Sequence, residues 1–361
     1  VLKILDRYIL KQFLLTLIFS LVALYFIFLI VDLLENLNNF LDNNMPALMI
    51  IEYYIYFFPQ ILKILTPVAM LLSTLFTIGR LSTSNEITAM KTGGMSLYRL
   101  MFPLLITSIL ISFGHLYFNG WIVPLANQNK MEIERVNLQK SGKSTSLYNF
   151  YFRDTPNKHF IMDYYNPVNM SGNNVAIEIY DDLESPRLIS RMDMKQIIWD
   201  TLTNNWIGIN VVRREFKEDE ILTQRLDSLV LELNLKRKHI ERFKKTINEM
   251  NLDEYADYLK MQKSGGKNVR TEMTEYYGQW AYPFANIIVV IFGVPFASIR
   301  KKGGIAVQIG AALVISFTYL VFTKVSQTIG NSADIEPWIT GWAANMIFFV
   351  LGIVNIIRTR S

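Results

Sequence analysis

Apolar positions along this chain come in long unbroken runs rather than in the stripes of a soluble helix. Runs of about 18 or more apolar residues mark segments able to cross a bilayer. Six are predicted, at 12–34, 53–78, 100–123, 277–298, 305–329 and 338–357. Between the third and fourth the pattern changes. From Leu147 onward, short alternating stretches bounded by Asn, Asp, Gly and Pro occupy 148–153, 159–165, 175–180, 188–192, 195–199, 206–213, 221–225 and 228–233. Stretches of that length with turn signals between them predict antiparallel strands in a sandwich or roll. Residues 252–262 are amphipathic, with Asp253 at their start and Gly265 past their end, so a short helix is predicted to lead back to the membrane. The expected fold class is an α-helical membrane protein of six transmembrane helices with an inserted all-β, jellyroll-like domain. Its divisions are 1–124 for the first three spans, 125–250 for the β domain, 251–276 for the connecting helix and 277–361 for the last three spans.

The polar segment 79–99 is sealed between two of these runs. Ser84 or Asn85 is placed to cap a helix, Glu86 sits in its first turn, Lys91 near its end, and Gly93 and Gly94 supply the stop. These signals predict a water-exposed helix of about two to three turns, within 82–95, lying beside the membrane. Two readings stand: a docking element for a partner, or an amphipathic interfacial helix without one.

Charge gives the orientation. Lys3, Arg7 and Lys11 precede the first span, Arg300, Lys301 and Lys302 form the turn 300–304, and Arg358 and Arg360 follow the last span. The other two short loops hold Glu35 and Asp42, or Asp334 and Glu336, and no cation. By the positive-inside rule both termini and both basic turns face the cytoplasm, which sends the middle region, about 125–275, to the opposite side. The formal net charge of +5, in a chain 51% hydrophobic and 19% charged, is therefore no sign of a nucleic-acid partner. A cleaved leader is not expected, because the apolar run 13–34 is too long for one and lacks a small-x-small site.

Chemistry is sparse. The 361 residues include no cysteine and three scattered histidines, His115, His159 and His239, so neither a disulfide nor a metal site is expected. Gly142-Lys143-Ser144 has the tail of a phosphate-binding loop, but Asn137 stands where its first glycine belongs. With no cofactor motif and no catalytic constellation, the expectation is a non-enzymatic chain whose energy, if from ATP, is supplied by another polypeptide. Lys63 lies about 15 Å into the second span, where a charge needs a cavity, a bundle interior or an anion. Lys324 falls near the outer end of the fifth span, where snorkelling to the interface serves as well as an anion contact. Lys130 and Arg135 lie beyond the third span, either as solvated charges or as contacts for an anionic headgroup. His115 is expected at the interface. Pro59, Pro67, Pro283 and Pro295 are expected to kink their spans, and Ala306-x-x-x-Gly310 permits a close helix contact.

Four stretches together resemble one family. They are Leu5-Asp6-Arg7-Tyr8-Ile9; Glu86-Ile87-Thr88-Ala89-Met90-Lys91-x-Gly93-Gly94; Ala281-x-Pro283-Phe284-Ala285-Asn286 running on to Gly293-Val294-Pro295-Phe296-Ala297; and Gly341-Trp342-Ala343-Ala344-Asn345. In this order, on this topology, they look like the LptF/LptG permeases of the lipopolysaccharide exporter, with 5–9 closer to the LptG branch. The resemblance implies an inner-membrane ABC transporter core made with a second LptF/LptG-type permease above a cytoplasmic ABC ATPase dimer. It implies lipopolysaccharide as cargo, and handover through a periplasmic jellyroll to jellyroll bridge proteins. Carried over by position, Glu86, with Ala89, Met90 and Gly93, matches the coupling helix that docks on the ATPase. Near the outer end of the first span the better-known members carry lysines, whereas this chain has Glu35, Asn36, Asn38 and Asp42. Any headgroup clamp must then use other cations, with Lys63, Lys130, Arg135 and Lys324 as candidates. Two rivals remain: a mechanotransmitting or sensing membrane protein whose β domain docks a partner and carries no lipid, and a lipid-modifying enzyme.

Overall fold

A computed structural model describes residues 3–138, 147–166, 169–181, 186–217, 220–237, 239–240, 245–298, 304–332 and 335–359. The expected basic turn 300–303, Lys143, Asp334 and Arg360 lie outside them. The chain forms two compact units, Val1–Ile133 with Arg270–Ser361, and Glu134–Val269.

Six helical segments of the first unit are long and apolar enough to cross a membrane. They comprise α1 (Ile4–Asp42), α2 (Ala47–Thr83), α4 (Leu97–Tyr117) continued through a π turn (Phe118–Ile122) into α5 (Val123–Asn137), α7 (Arg270–Ala281) continued through a 3-10 turn (Tyr282–Phe284) into α8 (Ala285–Ser298), α9 (Gly304–Ser332) and α10 (Pro337–Thr359). The short α3 (Glu86–Thr92) joins α2 to α4. Several helices outrun their apolar cores. The loop expected at 35–49 is helical up to Asp42, because Phe40 is fully buried edge-on against Tyr53 and Tyr54 and so extends the α1–α2 hairpin. The connecting helix expected at 251–276 is two helices, α6 (Leu252–Ser264) and α7. The chain breaks after α6 at Gly265 and Gly266, the latter at φ +76°, a conformation that suits glycine.

Burial is uneven. Only 11% of the apolar window is buried in α1 and in α9, against 61% in α2 and 72% in α7–α8. The last two are therefore the centre of the unit, and α1 and α9 present their apolar faces outward. Ile9, Phe13 and Leu17 of α1 recur at helical spacing and pack on α2, where Ser73 Oγ donates to the Phe13 carbonyl.

In the second unit the eight short strands expected from sequence are six. Residues 188–192 and 195–199 join in one strand, as do 221–225 and 228–231. The strands β1 (Leu147–Thr155), β2 (Lys158–Asn166), β3 (Ser171–Tyr180), β4 (Leu188–Asp200), β5 (Asn205–Phe216) and β6 (Ile221–Leu231) form one antiparallel sheet in chain order. A single row creases it. The β2–β3 ladder steps from Met162↔Val175 to Tyr164↔Asn173, the β3–β4 ladder from Val175↔Met194 to Asn173↔Gln196, and the β4–β5 ladder from Met194↔Val211 to Gln196↔Ile209. Asp163, Asn174, Lys195 and Asn210 are the exposed residues stepped over, and Asn174 and Asn210 have φ of +49° and +53°. An extra residue per strand reverses which parity faces inward. Met162 and then Tyr165, Val175 and then Gly172, Met194 and then Ile197, Val211 and then Gly208 thus line one interior. The alternation seen in sequence breaks in phase on successive strands, and the sheet bends around Phe152, Phe160, Tyr165 and Trp206. Ile209, an inward position by simple alternation, is outside that core for this reason.

Close helix contacts fall elsewhere than at the predicted pair. A Cβ on Gly310 would meet nothing within 4 Å, so no close contact forms at that glycine. At Gly341 a Cβ would lie 2.7 Å from Tyr277 Cβ and 3.0 Å from the Gly278 nitrogen, neither of which can rotate away. Gly341→Ala is expected to destabilise the protein by about 1–3 kcal/mol through overpacking of α10 on α7. Gly310→Ala is expected to be neutral or slightly stabilising. Thermal unfolding of both variants in one detergent checks the contrast.

Candidate functional site

α3 projects where α2 and α4 meet. Ser84 closes α2, and Asn85, at φ +61°, reverses the chain into α3 without a side-chain cap, so the expected Ser/Asn cap is replaced by a backbone turn. Of the two glycines after α3, Gly94 has φ +83°, the value that requires glycine, whereas Gly93 sits at −77°. The predicted helix 82–95 is therefore the shorter Glu86–Thr92, its first part being the end of α2. Ile87 is buried and Met90 partly so, against the core that holds Ile9 and Leu100. Thr88, Ala89 and Gly93 face out.

Glu86 is half-buried and already engaged. Tyr8 Oη of α1 donates to Glu86 Oε2 at 3.2 Å. On the same turns of α1, Asp6 is 3% exposed; its Oδ2 accepts from the Lys3 amide at 2.9 Å and from Arg99 Nη2 at 2.6 Å. Arg99 lies in the first turn of α4, which Ser96 caps. The stretches 5–9 and 86–94, far apart in sequence, are thus in contact.

A second set of polar side chains works inside the apolar bundle. Pro67 and Pro283 lack the N–H that would bond the carbonyls four residues earlier, Lys63 and Gln279. Side chains from other helices gather at both places. Tyr282 Oη donates to the Ile64 carbonyl at 3.0 Å and the His115 ring stands edge-on to the Tyr282 ring, centroids 6.0 Å apart. Asn119, aimed by the π turn, donates to the Gln279 carbonyl at 3.3 Å. Asn286 Nδ2 donates to the Pro283 carbonyl at 2.9 Å and lies 3.1 Å from His115 Nδ1. Asn345 Nδ2 donates to the Ala281 carbonyl at 2.6 Å and its Oδ1 accepts from Tyr319 Oη at 2.6 Å. His115, expected at the interface, is 5% exposed because Asn286 holds it inside.

The four predicted cations have different surroundings. Lys63 is half-buried beside His115. Lys130 Nζ stands 4.0 Å from the centre of the Phe57 ring and 5.3 Å from that of Tyr53, a cation–π arrangement. Arg135 is bonded at 2.6 Å to Glu249, itself 2% exposed, so its charge is matched within its own unit. Lys324 is exposed on α9.

Sequence reading missed Asp32. It lies inside the first span, where an acid in an apolar run is itself a signal, and it accepts from Tyr54 Oη at 3.0 Å. Beside that pair an apolar pocket of about 550 Å³ opens between α1 and α2, lined by Tyr25, Leu29, Leu33, Ile51, Tyr54 and Phe58.

Six membrane-length helices with a β domain inserted after the third, and a short exposed helix between the second and third, define a polytopic membrane protein of the permease kind. Residues 7–358 match the family Lipopolysaccharide export system permease LptF/LptG, and the chain belongs to that family. It is accordingly a multi-pass protein of the inner membrane with a part in lipopolysaccharide transport. No curated protein matches the chain.

The stretches 281–286 and 341–345 are those that bridge α4, α7 and α10. Asn345→Leu, close in volume, would leave the Ala281 carbonyl and the Tyr319 hydroxyl without their partner. A loss of about 1–3 kcal/mol in unfolding free energy is expected, larger than for Asn355→Leu, whose bond to Phe292 is long at 3.3 Å. Denaturation of the two variants side by side measures the difference.

Proposed function

We propose that this chain is one permease subunit of an ABC transporter that extracts lipopolysaccharide, or a related glycolipid, from the inner membrane and passes it to a periplasmic bridge. A cytoplasmic ATPase dimer supplies the energy, a second permease of the family completes the membrane core, and both termini and α3 face the cytoplasm. The observation that carries this reading is α3 itself. It is a short helix with one face packed on the bundle core through Ile87 and the other open at Thr88, Ala89 and Gly93, with the Glu86 carboxylate at its first turn. A carboxylate there can pair with a basic group in a groove of the ATPase. The interfacial-helix alternative leaves the outward polar side of α3 without a purpose.

The pocket between α1 and α2 supports a lipid cargo, since its lining is almost wholly hydrocarbon and its size suits acyl chains. Lys63, Lys130 and Lys324 are the cations we assign to the anionic headgroup; Arg135 is already matched by Glu249. Glu86→Lys is expected to abolish co-purification of the ATPase, with Glu86→Ala weakening it about tenfold. Unchanged ATPase binding and lipopolysaccharide release in both variants would overturn the coupling role.

One observation favours a second reading, in which the β domain docks a partner and carries no lipid. Its interior is filled: a Cβ at Gly172 or Gly208 would collide with the thioethers of Met162 and Met194. Methionine side chains are the ones most able to move aside, so passage requires them to do so. A photo-reactive residue at Ile177 or Val211 is expected to crosslink lipopolysaccharide when ATP is hydrolysed. Crosslinks to protein alone would favour the docking reading.

A further inference from the structure

The two contacts that α1 makes with the 86–99 segment lie on nearly opposite sides of the helix. Asp6 and Tyr8 are two residues apart, about 200° around the helix axis. Asp6 meets Arg99 at one end of the segment, and Tyr8 meets Glu86 at the other. The segment therefore straddles the first turns of α1, with Ile9, Ile87 and Leu100 forming an apolar floor among the grips. The Asp6 carboxylate is shared, since it also caps α1 through the Lys3 amide. Breaking the ion pair would leave a buried charge without its partner.

From this arrangement we infer that Asp6, Tyr8 and Arg99 are positioning residues that clamp α1 to the corner formed by α3 and α4, Tyr8 through Glu86 of α3 and Asp6 through Arg99 of α4, so that α1 and that corner move as one body. α2 is joined to α3 covalently through the turn at Ser84 and Asn85, and α4 through Gly93–Ser96; α1 meets them through the Tyr8–Glu86 and Asp6–Arg99 bonds and through Ile9 in the shared apolar floor. The clamp brings the first span under the control of whatever pushes on α3. That consequence matters because α1, with 11% of its apolar window buried, is among the spans least held by the bundle and lines the pocket shared with α2. A push on Glu86 would tilt α1 and alter that pocket. The transmission part of the inference rests on the reading of α3 as the docking helix; the clamp itself does not.

The chain has no cysteine, so spin labels on Lys11→Cys and Thr92→Cys report on α1 and α3 without background. Both positions are exposed. In the full complex, in nanodiscs containing lipopolysaccharide, the label-to-label distance is expected to be the same in the nucleotide-free and vanadate-trapped states. Asp6→Asn is expected to broaden it. A wild-type distance that shifts between the two states by more than its width overturns the clamp. Lipopolysaccharide release is expected to fall about tenfold or more in Asp6→Arg and in Arg99→Asp, with the ATPase still co-purifying, and to recover by at least half in the charge-swapped double variant. A double variant no better than either single, at equal membrane levels, also overturns it. Glu86→Lys separates the two readings: normal ATPase binding in that variant defeats the docking role, while the Lys11–Thr92 distance continues to test the clamp.

Discussion

A helix in hydrocarbon must satisfy its own backbone, and each internal proline releases a carbonyl that water cannot reach. Much of this bundle follows from where Pro67 and Pro283 release theirs. Around Lys63 and Ile64 stand Tyr282 and His115; at Gln279 stands Asn119, turned into place by the π turn; at Ala281 stands Asn345. Asn119 bonds the Gln279 carbonyl that Pro283 releases, and Tyr282 and Asn345 bond the neighbouring Ile64 and Ala281 carbonyls, so that α2, α4 with its π turn, α7–α8 and α10 are linked by directional bonds. Apolar packing between lipid-like side chains would not choose among rotations of a helix, and these bonds do.

The same constraint explains the uneven burial. The helices that receive the bridges on their carbonyls, α2 and α7–α8, are mostly enclosed; α4 and α10 supply side chains from 39% buried windows, and α1 and α9 are 11% buried, although Tyr319 of α9 also reaches Asn345. α1 is held at its first turns, where Asp6 and Tyr8 reach the segment around α3, along the stripe of Ile9, Phe13 and Leu17, and at its far end by Asp32 on Tyr54 and Phe40 against Tyr53 and Tyr54. A transport protein needs elements that can part from their neighbours.

Much of this was legible in the residues. The six apolar runs, the alternating middle region and the exposed helix ending at Gly93 and Gly94 all follow from local rules of hydropathy, alternation and backbone freedom. What misled local reading has equally specific causes. Eight strands became six because Asp193 and Met194 are paired on both sides within β4, and Asp227, stepped over in the β5–β6 ladder, does not end β6. His115 was expected at the interface because Asn286, 171 positions away, gives no local sign of holding it inside. Arg135 read as a free cation because Glu249, 114 positions on, was out of view.

The sequence by itself determined which segments enter a bilayer and which fold as a sheet, because transfer of apolar side chains from water is a sum over neighbouring residues. It also determined the order of the elements and the presence of an exposed helix between the second and third spans. Only the tertiary structure decided which charges are matched, which parity of each strand faces inward beyond the crease, and that the first turns of α1 grip the segment around Glu86. Those are pairings between distant residues, set by how packed elements rotate and register against one another, and no window of local sequence contains both partners.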